Sequence, residues 1–354
     1  MVFNSYSFLL FFPIVLVLTQ LAPAKWRNGL LLVASYVFYA SWGKRFCVLL
    51  LGLTVLVYAA GLLLGQKKRR WLFWLGLGGT LGALLVYKYL DFGLYSINAL
   101  TRALGLGEPM PRVSLLQPAG ISFFTFQAAG YLIDVYRGKY KPEKNFLRFA
   151  LFVSFFPQLV AGPIERSKNL LQQLDTPKSF DFDRAREGFV LMLWGYFLKI
   201  VLADRIAIFV DTVYGDIAAF PGWYLIAATL LFAVQIYCDF GGYSDIARGC
   251  SEMMGVELMV NFKAPYFALS MRDFWKRWHI SMSSWFRDYV YFPLGGSRVS
   301  HARHIFNLFA VWFLTGLWHG ANYTFIVWGM IYFLMQILEK YFIKPHSLGT
   351  ISST

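Results

Sequence analysis

The chain has 354 residues, of which 58% are hydrophobic, 19% aromatic and only 15% charged, against about 25% charged in soluble globular domains. So much apolar side chain behind so little charge excludes the soluble, disordered, fibrous and disulfide-scaffold classes and predicts an all-α polytopic membrane protein. Lys plus Arg outnumber Asp plus Glu by 33 to 19, a net charge of +14, but the bases stand in short runs between apolar stretches. That is loop patterning under the positive-inside rule, and not a nucleic-acid-binding surface.

Residues 3–21 form an uncharged run of near-spanning length. Ala22-Pro23-Ala24 looks like a signal-peptidase site, yet no Lys or Arg precedes the run, whereas Lys25 and Arg27 follow it. It is therefore read as an uncleaved first helix with its N-terminus outside. Apolar stretches at 29–42, 46–65 and 71–90 come next, and the basic run from Lys67 to Arg70 marks a cytoplasmic loop. Gly105, Gly107, Pro109, Pro111 and Pro118 make 105–118 a loop. The runs 119–135, 146–162, 189–213 and 223–238 each suffice to cross or nearly cross, with polar connectors at 136–145 and 165–186. The expectation is one membrane-embedded domain over 1–343 with roughly nine to eleven apolar segments, some of them re-entrant. A polar tail, 344–354, carries His346. Cys47, Cys238 and Cys250 are too scattered for a disulfide framework or a metal site and read as small apolar core residues.

Two later segments differ from plain spans. On a helix turning about 100° per residue, 272–290 puts Phe274, Trp275, Trp278, Met282, Trp285, Phe286 and Tyr289 within one arc of roughly 120°. Arg272, Lys276, Arg277 and Arg287 fall outside that arc, and His279 lies on its border. A Trp-rich face opposite a basic one predicts an interfacial helix lying in the membrane lipid. It is either an anchor alone or an anchor whose four bases also hold an anionic substrate, such as the phosphates of a nucleotide-based acyl carrier. The run 305–338 has no Asp, Glu, Lys or Arg and a single histidine, His319. It exceeds the about 20 residues one span needs, so it is two passes or a bent re-entrant pair. Gly316 and Gly320 bracket His319 and place the break there, with Trp318 and Asn322 alongside. His319 is then either a packed helix-bridging residue or an ionisable group at membrane depth with a function. Desolvation keeps such an imidazole neutral, the state a general base requires.

Asp239, Tyr243, Asp245 and Arg248 follow an apolar run together with paired glycines. An intramembrane hydrogen-bond or ion-pair cluster holding helices together fits them at least as well as catalysis. His301 and His304 form H-x-x-H without an acidic partner and are expected to be exposed loop residues; no metal site is expected.

DFWKRWHISMSSWFRDYVYFPLGGSR (273–298) followed by GLWHGANYTFIVWG (316–329) resembles the paired-histidine signature of membrane-bound O-acyltransferases. GISFFTFQAAGYLIDVYRG (120–138), QLVAGPIERSKNLLQQL (158–174) and CDFGGYSDIARG (238–249) resemble the bacterial branch that acetylates exopolysaccharides such as alginate. Five motifs in order make the resemblance specific, and it runs to about residue 340. The resemblance to the branch that transfers D-alanine to teichoic acid is weaker.

The resemblance implies a helical bundle around a central tunnel, in a bacterial inner membrane. It implies His319 as the catalytic histidine and His279 as the second signature histidine near the cytoplasmic mouth. The donor would be acetyl-CoA or another cytoplasmic acetyl thioester, and the acceptor a polysaccharide handled beside an extracytoplasmic partner of the SGNH-hydrolase type. Relatives usually continue with further spans beyond Thr354, so a truncation, a fragment or a short variant are open readings of this chain. The H-x-x-x-x-D pattern of soluble acyltransferases is absent, since Ser284 follows His279 and Thr324 follows His319 at that spacing. A transporter, or a scaffold guiding acyl groups to another enzyme, is the alternative from a different class. Transporter folds show repeated halves, and no internal repeat is visible.

Overall fold

A computed structural model describes residues 1–113, 115–176 and 178–343; His346 and the tail from 344 lie outside them. The described residues form helices and turns without a strand. In chain order these are α1 (Tyr6–Leu21), α2 (Ala24–Ala40), α3 (Lys44–Gln66) and α4 (Arg70–Leu84). A π-helical turn, Leu85–Tyr89, leads from α4 into α5 (Leu90–Ala103). Next are α6 (Ile121–Tyr136), α7 (Phe146–Ser154), α8 (Phe156–Leu159), α9 (Ser167–Asp175) and α10 (Phe182–Tyr196), and a second π turn, Phe197–Ala203, joins α10 to α11 (Asp204–Gly215). Then follow α12 (Gly222–Met253), α13 (Met271–Arg277), α14 (Ile280–Phe286), α15 (His301–His319) and α16 (Tyr323–Tyr341).

Among the described residues three helical runs, Lys44–Gln66, Arg70–Ala103 and Gly222–Met253, are long and apolar enough to cross a membrane. They turn large apolar side chains outward, among them Val48, Val55, Trp71, Trp74, Trp223 and Leu230. Such a surface is stable against lipid and a liability in water.

The chain divides into two compact units, one of residues 1–87 and 116–261, the other of 88–115 and 262 onward. In the first, α6 is buried along nearly its whole length. The predicted crossing at 146–162 is corrected. Phe155 is non-helical (φ −53, ψ 112), so α7 stops after nine residues and α8 starts again with Pro157 in its first turn. Pro157 lacks the N–H that a continuous helix would donate back to residue 153, and its ring would crowd that carbonyl, so an unbroken helix is disfavoured at this point. The freed Phe156 N–H is taken by Ser35 Oγ at 3.1 Å. Almost every side chain from Phe149 to Glu165 is buried in protein, so this run is core and not a lipid-facing span.

The pair α10–α12 packs through glycines seven residues apart on each helix. A Cβ on Gly195 would sit 2.6 Å from the Gly242 carbonyl oxygen, and one on Gly242 would sit 2.7 Å from that of Gly195. Gly188 and Gly249 repeat the arrangement one heptad along. Close approach of small residues is what drives helix association where lipid is as apolar as leucine. Asp239, Tyr243 and Asp245 lie on the unbroken α12, which runs on past the predicted end at 238. Lys199 of the second π turn reaches Asp239 at 2.6 Å and Asp204 at 2.8 Å. Tyr243 stacks on Phe3 at 4.5 Å, and Asp245 pairs with Arg248 at 3.1 Å.

Glu165, in the loop between α8 and α9, is buried. It accepts the Met259 N–H at 2.5 Å and the Asn169 amide at 2.7 Å, tying the loop after α12 to α9. Burial pushes its pKa from the ordinary 4.5 up to about 7, against these hydrogen bonds. A pKa raised on folding stabilises fully below the unfolded value and is lost as pH rises through the folded one. Thermal stability in detergent is therefore expected to fall between about pH 5 and pH 8 by something on the order of 3 kcal/mol from this group. Glu165→Gln, whose carbonyl still accepts from Met259, should flatten that slope. A variant with the parental slope would show that the carboxyl is not the source.

Candidate active site

The second unit breaks the segment 272–290 where an unbroken interfacial helix was expected. Helix α13 ends at Arg277, Trp278 is extended (φ −102, ψ 127), His279 takes φ 44 and ψ 54, and α14 begins at Ile280. Left-handed backbone is uncommon outside glycine and persists where the surroundings hold it. The break turns the second half inward. Trp275, Met282, Trp285 and Phe286 are buried in protein instead of lying along a lipid surface, and His279 is wholly buried.

The break expected after His319 is present. Helix α15 ends at His319, Gly320 is extended, and Asn322 caps α16 by accepting the Thr324 N–H at 3.0 Å. Gly316 does not break the helix but serves packing: a Cβ there would lie 2.5 Å from the Phe325 carbonyl oxygen. Gly329 stands in the same relation to Trp312, so α15 and α16 approach almost backbone to backbone.

Trp318 brings the two signature histidines together. Its ring lies 5.5 Å from the His279 imidazole and 5.0 Å from that of His319. Trp328, at 4.7 Å, and Phe325, at 6.3 Å, complete an aromatic surround for His319. His319 Nε2 is buried and has no hydrogen-bond partner among the described residues. A ring held by aromatic faces with one nitrogen left open can take a proton from an incoming hydroxyl.

The four bases are deployed unequally. Arg272 and Lys276 are exposed. Arg277 pairs with Asp273 at 3.0 Å and Arg287 with Asp288 at 2.8 Å. The Arg277 hydrogen bond holds the Asp273 carboxyl below its usual range. Half-exposed pairs of this kind are worth little, so a phosphate could replace the carboxylate at small cost.

Three residues of this unit escaped the sequence reading. His304, expected in an exposed loop, is buried in the first turn of α15. Its ring is hydrogen-bonded to the Tyr291 hydroxyl at 2.9 Å and the Tyr341 hydroxyl at 2.7 Å, with Lys340 Nζ at 3.2 Å. Burial, then the Lys340 charge, lowers its pKa. His301 is exposed, as expected. Lys88 and Tyr89 lie in the first π turn and reach the end of α15: Tyr89 Oη donates to the Leu317 carbonyl at 2.5 Å, and Lys88 Nζ donates to that of Trp318. Lys88, Asp91 and Asn322 also line a cavity of about 360 Å³ with the rings of Phe92, Tyr95 and Tyr323. The signal for Lys88 was present: it is the one charged residue inside the apolar run 71–90.

The sequence profile of the membrane-bound O-acyltransferase family matches residues 142–348, which include both histidines and the helices that carry them. The chain belongs to this family. It is an acyltransferase embedded in a membrane. It is 42% identical over 347 residues to the probable alginate O-acetylase of Pseudomonas putida, covering 96% of this chain and 71% of that one. Identity is 34% to the peptidoglycan O-acetyltransferase of Helicobacter pylori, covering 88% and 63%. It is 27% to the teichoic acid D-alanyltransferase of Bacillus subtilis, covering 68% and 64%. The chain thus spans about two thirds of the length of these relatives.

Proposed function

We propose that this acyltransferase moves an acetyl group from acetyl-CoA on the cytoplasmic side to a hydroxyl of an extracytoplasmic polysaccharide, with His319 as general base. The observation that carries the reading is the open Nε2 of a histidine held among Trp318, Phe325 and Trp328 and joined to His279 through Trp318. His319 takes the proton as the acceptor oxygen attacks the thioester carbonyl. The C–O bond forms, the C–S bond breaks, and the departing thiolate recovers the proton from the imidazolium. Exposed Arg272 and Lys276, together with Arg277 and Arg287 released from their carboxylates, hold the donor's phosphates. Trp318 and Asn322 border the reacting groups. A base of this kind is worth about 10²–10⁴ in rate, or roughly 3–5 kcal/mol. Positioning in a passage from which bulk water is excluded supplies the rest.

The polysaccharide acceptor is supported by the relatives named alginate O-acetylase and peptidoglycan O-acetyltransferase. The basic run Lys67–Arg70 supports a cytoplasmic loop there, an external N-terminus and a place in the inner membrane. The family resemblance supports an extracytoplasmic SGNH-type partner. Labelled acetyl-CoA given to the purified chain in lipid nanodiscs is expected to pass its label to a uronate polysaccharide or to a partner protein, with CoA released. D-alanyl thioester is the competing donor in the same assay. No consumption of acetyl-CoA with any acceptor or partner present would overturn the reading.

A further inference from the structure

We infer that Lys88 and Tyr89 are positioning residues that fix the end of α15 and so the imidazole of His319, which rests on the reading of His319 as the base. The last carbonyls of any helix lack intrahelical donors. Many helices answer this with a left-handed glycine whose N–H turns back to them. Here Gly320 is extended, and no such turn forms. The carbonyls of Leu317 and Trp318, the two residues before His319, instead receive the Tyr89 hydroxyl and the Lys88 ammonium. Two consecutive side chains of one helical turn thus hold two consecutive carbonyls of another.

Consecutive residues on a regular helix point about 100° apart. The π turn Leu85–Tyr89 locally changes that spacing, a distortion found disproportionately at functional sites. The charge calls for its own account. A lysine within an apolar run at membrane depth is costly to insert, and a neutral donor would satisfy a carbonyl equally well. A cation is favoured at a helix C-terminus, where the dipole ends negative. The ammonium also lies 5.7 Å from the Trp318 ring, which separates the two histidines. Further along α5, the Tyr323 hydroxyl donates to Ser96 Oγ at 2.7 Å, so the start of α16 is tied to the same stretch of chain. The turn Gly320–Asn322 is therefore held on both sides, and His319 rides on the held end. Geometry this tight matters, because a misplacement near 1 Å can cost roughly 10² in rate.

The test uses the full chain in nanodiscs, with the initial rate of acetyl transfer from acetyl-CoA and the melting temperature read on every variant. Lys88→Met is expected to lower kcat by roughly 10- to 100-fold with KM for acetyl-CoA unchanged. Lys88→Arg, which keeps a charged donor, should recover most of that loss, and Tyr89→Phe should lower kcat by a smaller factor. Parental kcat in Lys88→Met and Tyr89→Phe, while His319→Ala is inactive, would overturn the inference and leave the base intact. Parental activity of His319→Ala would remove the base itself. A melting temperature that falls in step with kcat, with no recovery by Lys88→Arg, would make the two residues supports of the fold alone, and the inference would be wrong.

Discussion

His319→Ala is expected to insert into the membrane as the parent does and to lose acetyl transfer by roughly 10²–10⁴, the range a positioned general base contributes. In barrier terms this is about 3–5 kcal/mol. The substitution also empties part of the space between Trp318, Phe325 and Trp328, whose rings sit 5.0, 6.3 and 4.7 Å from the imidazole. Loss of packing alone would lower stability and blur the result. His319→Phe separates the two effects, because it keeps an aromatic ring in the same surround and removes the nitrogen that accepts the proton. Both variants should be equally inactive, and only the alanine variant should melt earlier. Retention of the parental rate by either variant would end the catalytic reading. A rate that followed the melting temperature, with the phenylalanine variant active, would make His319 a packing residue.

The division between what the sequence showed and what it hid follows the reach of each physical signal. The break after His319 was legible because it is local: Gly320 and Asn322 favour non-helical backbone and capping, and both do that in the structure. Gly316 was misjudged for a nonlocal reason, since its small size answers the Phe325 carbonyl on the next helix. The segment 272–290 was misplaced because a helical projection assumes unbroken steps, and one left-handed residue, His279, resets the phase of everything after it. The run 146–162 has the length and hydropathy of a span, yet Pro157 divides it and the protein's own helices cover it. His304 looked exposed because its partners, Tyr291, Lys340 and Tyr341, are brought to it only by the packing of α15 and α16. The pairing of the two histidines came from the family motif; that Trp318 joins them is a fact of three dimensions.

His279 allows the backbone and the imidazole to be tested apart. Its φ of 44 places it where an alanine pays a conformational cost that asparagine largely escapes. Its side chain is wholly buried against Trp318. His279→Ala should therefore lose both the left-handed turn's ease, at about 1–2 kcal/mol, and the packing of a buried ring. It is expected to melt well below the parent and to be inactive. His279→Asn keeps a residue suited to the turn and removes the imidazole, so it should recover part of the lost melting temperature. If the ring supports Trp318 and through it His319, His279→Asn remains slower than the parent by about 10² or more despite that recovery, since sub-ångström placement governs the base. If asparagine restores the rate along with the melting temperature, the residue is needed for the chain's turn between α13 and α14, and the imidazole has no part in the chemistry. His279→Gly adds the limiting case: it relieves the backbone completely, so activity lost there while α13 and α14 stay folded is owed to the missing ring.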